Sequence, residues 1–281
     1  MKYAIITGGS SGIGLELAMA LRGRGFHIVL AGRSEEKLRE AAQKLESLKP
    51  GPCKREGQPS AVDLFPCDLT YEEECRRLHG TYQSCPVKVL IHSAGFGVYG
   101  SFASTDAGAE LSMLRVHCQA AQLLMKLFLP DMERRGGGFI LQVASLAGLS
   151  PGGPYMASYY AAKAYVASLV RGVAEELRAQ GSPVYVGALC PGPVDTPFFE
   201  RAGIGTAMRG MAPDAVAAAA LKGMKRRQTI IVPGMGNRMA YLAMKWLPAG
   251  VIVSVNRRIQ EKKNRRKGKN AIGKNGGGGD G

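Results

Sequence analysis

The chain has 281 residues, 46% of them apolar, and a net charge of +15, a composition that suits one globular α/β domain with a full core. The six cysteines contain no C-x-x-C pair and the four histidines are scattered, so the sequence predicts no metal site. Met1 and Lys2 lead directly into an apolar run rather than a signal peptide, which predicts reduced thiols and a cytoplasmic protein.

Strand and helix patterns alternate along the chain to about residue 232. Apolar runs predict strands near 3–7, 26–31, 61–65, 87–91, 139–143, 184–189 and 229–232. Helices are predicted after the first strand, after Ser34, and near 71–80, 108–133, 156–179 and 213–226. This alternation predicts an α/β fold with a doubly wound parallel sheet, the three-layer α/β/α arrangement of Rossmann type.

The composition shows no break before the basic end of the chain, which predicts a single domain. We expect this domain to span 1–256, with a lid at about 197–212 and a C-terminal helix at about 237–256. The segment 239–255 is apolar but interrupted by Lys245 and Pro248, which favours a packed helix over a membrane span. Attachment to a membrane surface is the alternative for this segment.

Residues 257–281 form a basic, Gly-rich tail with nine Lys or Arg and two acids, a net charge of +7. Such a tail has little apolar surface to bury and is predicted to be disordered. Three interpretations are open: a solvated end, attraction to anionic lipid that places the protein peripheral to a membrane, and attraction to nucleic acid. The tail lacks interleaved aromatic residues and a recognised binding module, which disfavours nucleic acid.

A glycine-rich turn lies between the first strand and the first helix. Its residues are Thr7, Gly8, Gly9, Ser10, Ser11, Gly12, Ile13 and Gly14. Glycine lets the backbone approach a pyrophosphate, and the helix N-terminus offers free N–H groups to its charge, so the turn predicts a dinucleotide site. The same residues spell the G-x-S-x-G of serine hydrolases. That chemistry needs an acid and then a histidine later in the chain, and the last histidine is His117.

The second strand ends in Gly32 and Arg33. A site for NAD would place an acid here to bind the ribose 2′-hydroxyl, whereas a cation favours a 2′-phosphate. Arg33 therefore predicts NADP as the cofactor, with an ordinary surface arginine as the alternative.

Tyr159 and Lys163 lie four residues apart in a predicted helix and so share one face. A lysine ammonium and a nearby nicotinamide cation would lower the tyrosine pKa from its ordinary value of about 10. Tyr159 would then exchange a proton with a substrate oxygen near neutral pH. Ser145 follows the strand at 139–143, and its hydroxyl would hold the same oxygen.

As a set, these residues resemble the short-chain dehydrogenase/reductase family over about residues 2–232. The motifs are the glycine-rich turn, Asp68-Leu69, His92-Ser93-Ala94-Gly95, Ser145, Tyr159-Tyr160-Ala161-Ala162-Lys163 and Pro191-Gly192-Pro193-Val194-Asp195-Thr196. The resemblance implies an NADP-dependent oxidoreductase that acts on CH–OH or C=O groups. Tyr159, rather than Tyr155 or Tyr160, has the required lysine four residues later.

The resemblance also implies the places of the remaining cofactor-binding residues. Asp68 and Leu69 would flank the adenine, and Ala94 and Gly95, together with Ser93, would line the cofactor cleft. The segment that cups the nicotinamide would contribute Pro191, Gly192, Val194 and Thr196. Tyr159 and Lys163 would contact the cofactor as well as carry the chemistry.

Two positions depart from the family pattern. His92-Ser93 stands where the family usually has Asn-Asn. His117 stands where the family usually has an asparagine that holds a water linking the lysine to solvent. We include His117 among the candidate catalytic residues, where it would hydrogen-bond that water or weaken the proton relay. Ordinary helix packing is the alternative.

No motif identifies the substrate. The lid contains Phe198, Phe199, Ile204 and Met208, which favours an apolar substrate such as a 3-oxoacyl chain, a steroid or bile acid, or a small hydrophobic ketone. These side chains would otherwise pack on the body or on another subunit, and we expect a homo-oligomer. A non-catalytic NADP-binding regulatory or scaffold protein is the competing function.

Overall fold

The computed structural model describes residues 2–48, 61–203 and 210–275. Within these ranges seven strands form one sheet in which all neighbouring strands are parallel, in the order β3-β2-β1-β4-β5-β6-β7. The strands are β1 Lys2–Thr7, β2 Phe26–Gly32, β3 Val62–Pro66, β4 Val87–His92, β5 Phe139–Val143, β6 Tyr185–Leu189 and β7 Ile230–Ile231. Each strand lies within one or two residues of its predicted position, and the predicted fold class is confirmed.

Helices cover both faces of the sheet. They are α1 Gly12–Arg22, α2 Glu35–Glu46, α3 Glu72–Tyr82, α4 Ala107–Leu114, α5 Ala121–Arg134, α6 Ala157–Ala179, α7 Phe198–Arg201, α8 Pro213–Lys225, α9 Met235–Met244 and α10 Ala249–Asn275. Side chains of one strand alternate between two cores: Ile5 packs on the side of α3, α5 and α6, and Ile6 on the side of α1, α2 and α8. Ser34 caps α2 as predicted, because its Oγ accepts the Lys37 N–H at 3.3 Å.

The strand order reverses between β1 and β4. Chains of this topology bind ligands in the crevice that opens beyond the carboxyl ends of the strands at such a switch point. Here the crevice is bounded by the turn after Thr7 and by the residues after His92. The sheet therefore positions the glycine-rich turn and the segment 93–95 side by side.

The helix predicted at 108–133 is divided into three parts. A π-helical segment, Arg115–Ala120, separates α4 from α5. Its Val116 carbonyl accepts a hydrogen bond from His92 Nε2 at 3.0 Å. A π turn contains an extra residue, and the periodicity of apolar residues does not reveal it. Such segments occur frequently at functional sites, and this one carries His117.

The C-terminal region also differs from its prediction. The single helix expected at about 237–256 is two helices divided near Pro248, and α10 continues to Asn275 without a break at the predicted start of the tail. Hydrogen bonds to the body extend beyond residue 256, since Tyr99 OH donates to Gln260 O at 3.1 Å and Tyr155 OH to Glu261 at 3.2 Å. Residues 276–281 lie outside the described part. No helix in the described ranges combines the length and apolar content needed to cross a bilayer.

Candidate active site

The glycine-rich turn leaves no room for side chains at three of its positions. A Cβ on Gly8 would lie 2.7 Å from the Ala94 nitrogen, and one on Gly14 would lie 2.4 Å from the Gly8 oxygen. Gly12 has φ +55° and would bring a Cβ to 2.9 Å from Thr196 Cγ2. Gly8 also has a positive φ, +65°, which glycine adopts without strain. The turn is therefore a backbone cradle at the N-terminus of α1 that fits a dinucleotide pyrophosphate.

A buried network joins this turn to the end of β4. Thr7 Oγ1 donates to His92 Nδ1 at 2.9 Å and accepts the Ala94 N–H at 3.2 Å. The His92 Nε2 that bonds the Val116 carbonyl must carry the proton, because a carbonyl only accepts. Burial lowers the pKa of His92 to about 4, so the ring is neutral. The sequence marked His92 as a departure from the family pattern without giving it a role. The structure shows that its ring hydrogen-bonds both Thr7, on the other side of the crevice, and the π segment.

The carboxyl ends of β2 and β3 carry the residues predicted to meet the adenosine end of the cofactor. Arg33 is exposed, and its Cζ lies 5.8 Å from the centroid of the Phe96 ring. Asp68 Oδ1 accepts from Thr70 N at 3.0 Å and from Thr70 Oγ1 at 2.9 Å, while Leu69 is buried. The carboxyl end of β2 is therefore followed by an exposed cation.

Ser145, Tyr159 and Lys163 meet at one wall of the crevice. Tyr159 and Lys163 are buried one turn apart on α6, and Lys163 Nζ lies 5.8 Å from the Tyr159 ring centroid. Lys163 Nζ donates to the Val143 carbonyl at 2.7 Å. Ser145 sits just after β5, where its Oγ accepts the Ala147 N–H at 3.1 Å. The fold thus brings together three residues that span 18 positions of the sequence, from Ser145 to Lys163.

Burial dominates the electrostatics of this trio. It raises the pKa of Tyr159, and a side-chain hydrogen bond with Ser145 acts in the opposite direction. It lowers the pKa of Lys163 to about 7, so this ammonium changes charge near neutral pH. A positive charge placed in the crevice would favour the Tyr159 phenolate, which is the form that can accept a proton.

The neighbouring tyrosines direct their hydroxyl groups elsewhere. Tyr155 OH donates to Glu261 Oε1 at 3.2 Å, and the Tyr160 hydroxyl accepts from Gln260 Nε2 at 3.3 Å. Of these three tyrosines, Tyr159 is the one next to the predicted lysine and serine, as the four-residue spacing indicated.

His117 lies beside the trio. Its ring meets the Tyr159 ring edge-on with centroids 5.7 Å apart, and its Nε2 donates to the Phe96 carbonyl at 2.8 Å. Burial and the nearby Lys163 hold the pKa of His117 well below its ordinary value. The His117 ring is therefore neutral near pH 7. A Cβ on Gly95 would lie 2.1 Å from His117 Cε1, so the close approach of this ring requires glycine at 95.

The crevice opens into a cleft of about 590 Å³. Eleven of the predicted cofactor residues line it beside the trio: Gly8, Ser10, Ser11, Gly12, Ile13, Ser93, Gly95, Pro191, Gly192, Val194 and Thr196. Thr7, Ala94 and Gly14 do not line it; Thr7 hydrogen-bonds Ala94, and Ala94 and Gly14 both lie close to Gly8. Arg33, Asp68 and Leu69 do not line it and lie just after the ends of β2 and β3.

The far wall of the cleft was not predicted. It comes from α9 and α10, which contribute Met244, Leu247, Val251, Ile252, Val255 and Ile259 together with the polar residues Asn237, Asn256 and Gln260. The sequence assigned substrate contacts to the lid alone. Phe198 of the lid does line the cleft, 5.4 Å from the Tyr159 ring, but Ile204 and Met208 lie outside the described residues. The apolar segment 239–255 was the available signal, but the sequence does not show where the helices of this segment pack.

Comparisons with known proteins agree with this geometry. The family model described as short chain dehydrogenase matches residues 2–205. The chain is 31% identical over 199 residues to an uncharacterized oxidoreductase of Staphylococcus saprophyticus, covering 70% of this chain and 80% of that protein. It is 30% identical to a very-long-chain 3-oxoacyl-CoA reductase of Schizosaccharomyces pombe, over 65% of this chain and only 54% of that reductase.

Two solved structures are also similar. A short-chain dehydrogenase from Sphingobium yanoikuyae in complex with NADPH is 28% identical, with a TM-score of 0.76 over 88% of this chain and 93% of that one. A bulky-bulky ketone specific alcohol dehydrogenase from Comamonas testosteroni is 25% identical, with a TM-score of 0.70 over 88% of this chain and 92% of that one.

Proposed function

We propose a reaction for this protein, which belongs to the short chain dehydrogenase family. It transfers a hydride between NADP and a carbonyl or secondary alcohol carbon of a large apolar substrate. One observation carries the proposal. Ser145, Tyr159 and Lys163 lie at a single cleft, between the glycine cradle and an apolar wall formed by α9 and α10.

The cradle and Arg33 support NADP as the cofactor. The three crowded glycines fit a pyrophosphate, and the exposed guanidinium at the end of β2 suits a 2′-phosphate. The Sphingobium relative binds NADPH, in agreement with this assignment. When bound, the cofactor supplies or accepts the hydride.

The protein residues handle the proton. In the reducing direction, Tyr159 donates its hydroxyl proton to the substrate oxygen while the carbonyl carbon accepts a hydride, which leaves a neutral alcohol and a Tyr159 phenolate. Ser145 donates a hydrogen bond to the same oxygen and stabilises its developing charge. A protonated Lys163 stabilises the phenolate, which then regains a proton from solvent. Oxidation follows the same path in reverse.

The wall opposite Tyr159 selects the substrate. Its side chains are mostly aliphatic, which favours an apolar substrate over a polar one. The relatives named as a very-long-chain 3-oxoacyl-CoA reductase and as a bulky ketone dehydrogenase agree with a large apolar carbonyl compound. Cytoplasmic location and homo-oligomerisation stay predictions.

A panel of carbonyl compounds tests the proposal. It would contain 3-oxoacyl thioesters of increasing length, cyclic and bulky ketones and small polar ketones, each assayed with NADPH by the loss of its absorbance. We expect turnover to rise with the apolar bulk of the substrate. NADPH binding without turnover on any compound would instead support the non-catalytic alternative.

A further inference from the structure

An exposed apolar surface lies on the two C-terminal helices. On α9, Met235, Met239 and Leu242 are 72%, 60% and 48% exposed, and their spacing places them on one face. Trp246, which follows α9, is 88% exposed. Monomeric proteins rarely leave so many large apolar side chains together in water, so such a surface indicates an interaction site.

The surface continues into the mouth of the cleft. Leu247, Val251, Val255 and Ile259 line the cleft and are nevertheless 40–50% exposed, so they form its rim. The last three recur every four residues along one side of α10. We call these four residues, together with Met235, Met239, Leu242 and Trp246, the α9–α10 face. Whatever covers this face also covers the opening through which an apolar substrate would pass.

The charges on the same helices indicate what the partner is. Arg238, Lys245, Arg257, Arg258 and Lys262 are exposed, and the stretch 235–262 contains five basic residues against one acid, a net +4. That acid, Glu261, is itself engaged by Arg257 at 3.0 Å. The next residues, 263–275, add six basic residues and no acid. An apolar surface bordered by such an excess of cations is complementary to anionic lipid.

We propose that the α9–α10 face docks on an anionic membrane surface, with Trp246 in the headgroup region and the mouth of the cleft turned toward the lipid. With ten residues, α9 is about 15 Å long, which suits a helix that lies in the interface. A second copy of the chain fits less well, because a symmetric contact would bring two basic surfaces together. Docking itself does not depend on the proposed function, whereas access of an apolar carbonyl compound from the lipid rests on it.

The protein contains its own reporter of docking. Trp246 is the single tryptophan of the sequence, and because its indole is 88% exposed, we expect the emission of a water-exposed group. Titration of the full-length protein with vesicles of phosphatidylcholine and phosphatidylglycerol should shift this emission to the blue. Vesicles of phosphatidylcholine alone should shift it far less, and salt should reverse the shift at low vesicle concentration. Neither measurement requires turnover.

Variants separate the apolar from the electrostatic contribution. In co-sedimentation, Trp246→Ala should weaken binding to the anionic vesicles at least about tenfold, the loss expected for removing one large buried apolar side chain. The double variant Arg257→Gln/Arg258→Gln should weaken it roughly fivefold per charge at low salt. Tyr71→Ala is the matched control: Tyr71 is 60% exposed but is followed by three acids, Glu72–Glu74, and this variant should bind like the parent.

Two results would overturn the proposal. The first is an unchanged Trp246 emission with anionic vesicles at low salt. The second is an emission that shifts with protein concentration in the absence of vesicles, together with a dimer in sedimentation velocity that Trp246→Ala abolishes, which would identify a second copy as the partner. Soluble short-chain ketones assayed in parallel test the reaction, so a failure of docking and a failure of the proposed function are distinguishable.

Discussion

The two ends of the cleft are built in different ways. At the cofactor end, a Cβ on Gly8 or Gly14 would lie within 3 Å of backbone atoms, and Gly12 has a positive φ beside the Thr196 side chain, so local sterics dictate glycine at all three positions. At the substrate end, α9 and α10 present aliphatic side chains that many sequences could replace, and the hydrogen bonds of Asn256 help to hold the wall in place. Strict local constraints produce recognisable sequence motifs, whereas a packed apolar wall is visible in the sequence only as a run of hydrophobic residues.

The largest effect is expected where the two ends meet. Tyr159→Phe removes the transferable proton and keeps the ring, so turnover should fall by at least ~10²-fold while NADPH affinity changes little. Stopped-flow turnover and NADPH fluorescence titration measure these separately. Tyr155→Phe and Tyr160→Phe are the controls and should be much milder. If either control abolishes turnover while Tyr159→Phe retains it, the proton does not pass through Tyr159.

A change confined to the cofactor end should affect one cofactor only. Arg33→Ala removes a charge-assisted contact worth about 1.5–3 kcal/mol, which corresponds to a roughly 10- to 150-fold weaker NADPH affinity. NADH affinity and the KM of the carbonyl substrate should stay nearly constant. Titration with both cofactors checks this, and an equal loss for NADPH and NADH would show that Arg33 does not bind the 2′-phosphate.

A change confined to the substrate end should affect the KM of the substrate and spare the affinity for the cofactor. Asn256 Nδ2 donates to Ser150 Oγ at 2.8 Å and to the Gly152 carbonyl at 2.6 Å, which holds α10 against the body. Asn256→Leu should raise the KM of an apolar substrate by about fivefold or more and leave NADPH affinity intact. Ser254→Ala, at an exposed position on the same helix, is the control. A loss of NADPH affinity equal to the rise in KM would mean that the two ends are not separable.

The two buried histidines between the ends of the cleft should make the stability of the fold depend on pH. Burial lowers the pKa of His92 to about 4 and that of His117 well below its ordinary value. The unfolded chain then binds more protons below about pH 6.5, so the free energy of unfolding should fall as the pH is lowered from about 6.5 toward 4, by up to ~1.4 kcal/mol per pH unit for each histidine. Denaturant unfolding at several pH values measures this slope.

Variants at these histidines test the assignment. His92→Asn should reduce the slope of stability against pH. His117→Asn should reduce it as well and leave unaltered any inflection of the rate near pH 7, which we would assign to Lys163, because burial lowers its pKa to about 7. If the inflection disappears in His117→Asn, that histidine titrates in the catalytic range after all.

The smallest effect is expected at the basic end. Deletion of residues 264–281 leaves the hydrogen bonds of Asn256, Gln260 and Glu261 in place, so turnover on a soluble substrate should stay within about twofold. A steady-state assay of the truncated protein checks this. A large loss of turnover in solution would show that the end of α10 supports the wall.

The sequence by itself determined the parts that depend on local geometry. Alternating strand and helix patterns gave the order of elements and the fold class, because each period reflects one local backbone structure. Gly8, Gly12 and Gly14 indicated the cradle because no other residue fits there, and the i, i+4 pair Tyr159 and Lys163 indicated one helix face. Arg33 indicated the cofactor preference because a cation, rather than an acid, follows the second strand.

Only the tertiary structure decided the rest. The π segment is hydrogen-bonded through its Val116 carbonyl to His92, 24 positions away, a contact that no local pattern contains. The neutrality of His117 results from burial against Phe96 and beside Lys163. Predicting the wall of α9 and α10 requires knowing where those helices pack. Contacts such as that of Tyr99 with Gln260, 161 residues away, decide this. Long-range packing decides where apolar residues go, because hydrophobicity favours burial without specifying a partner.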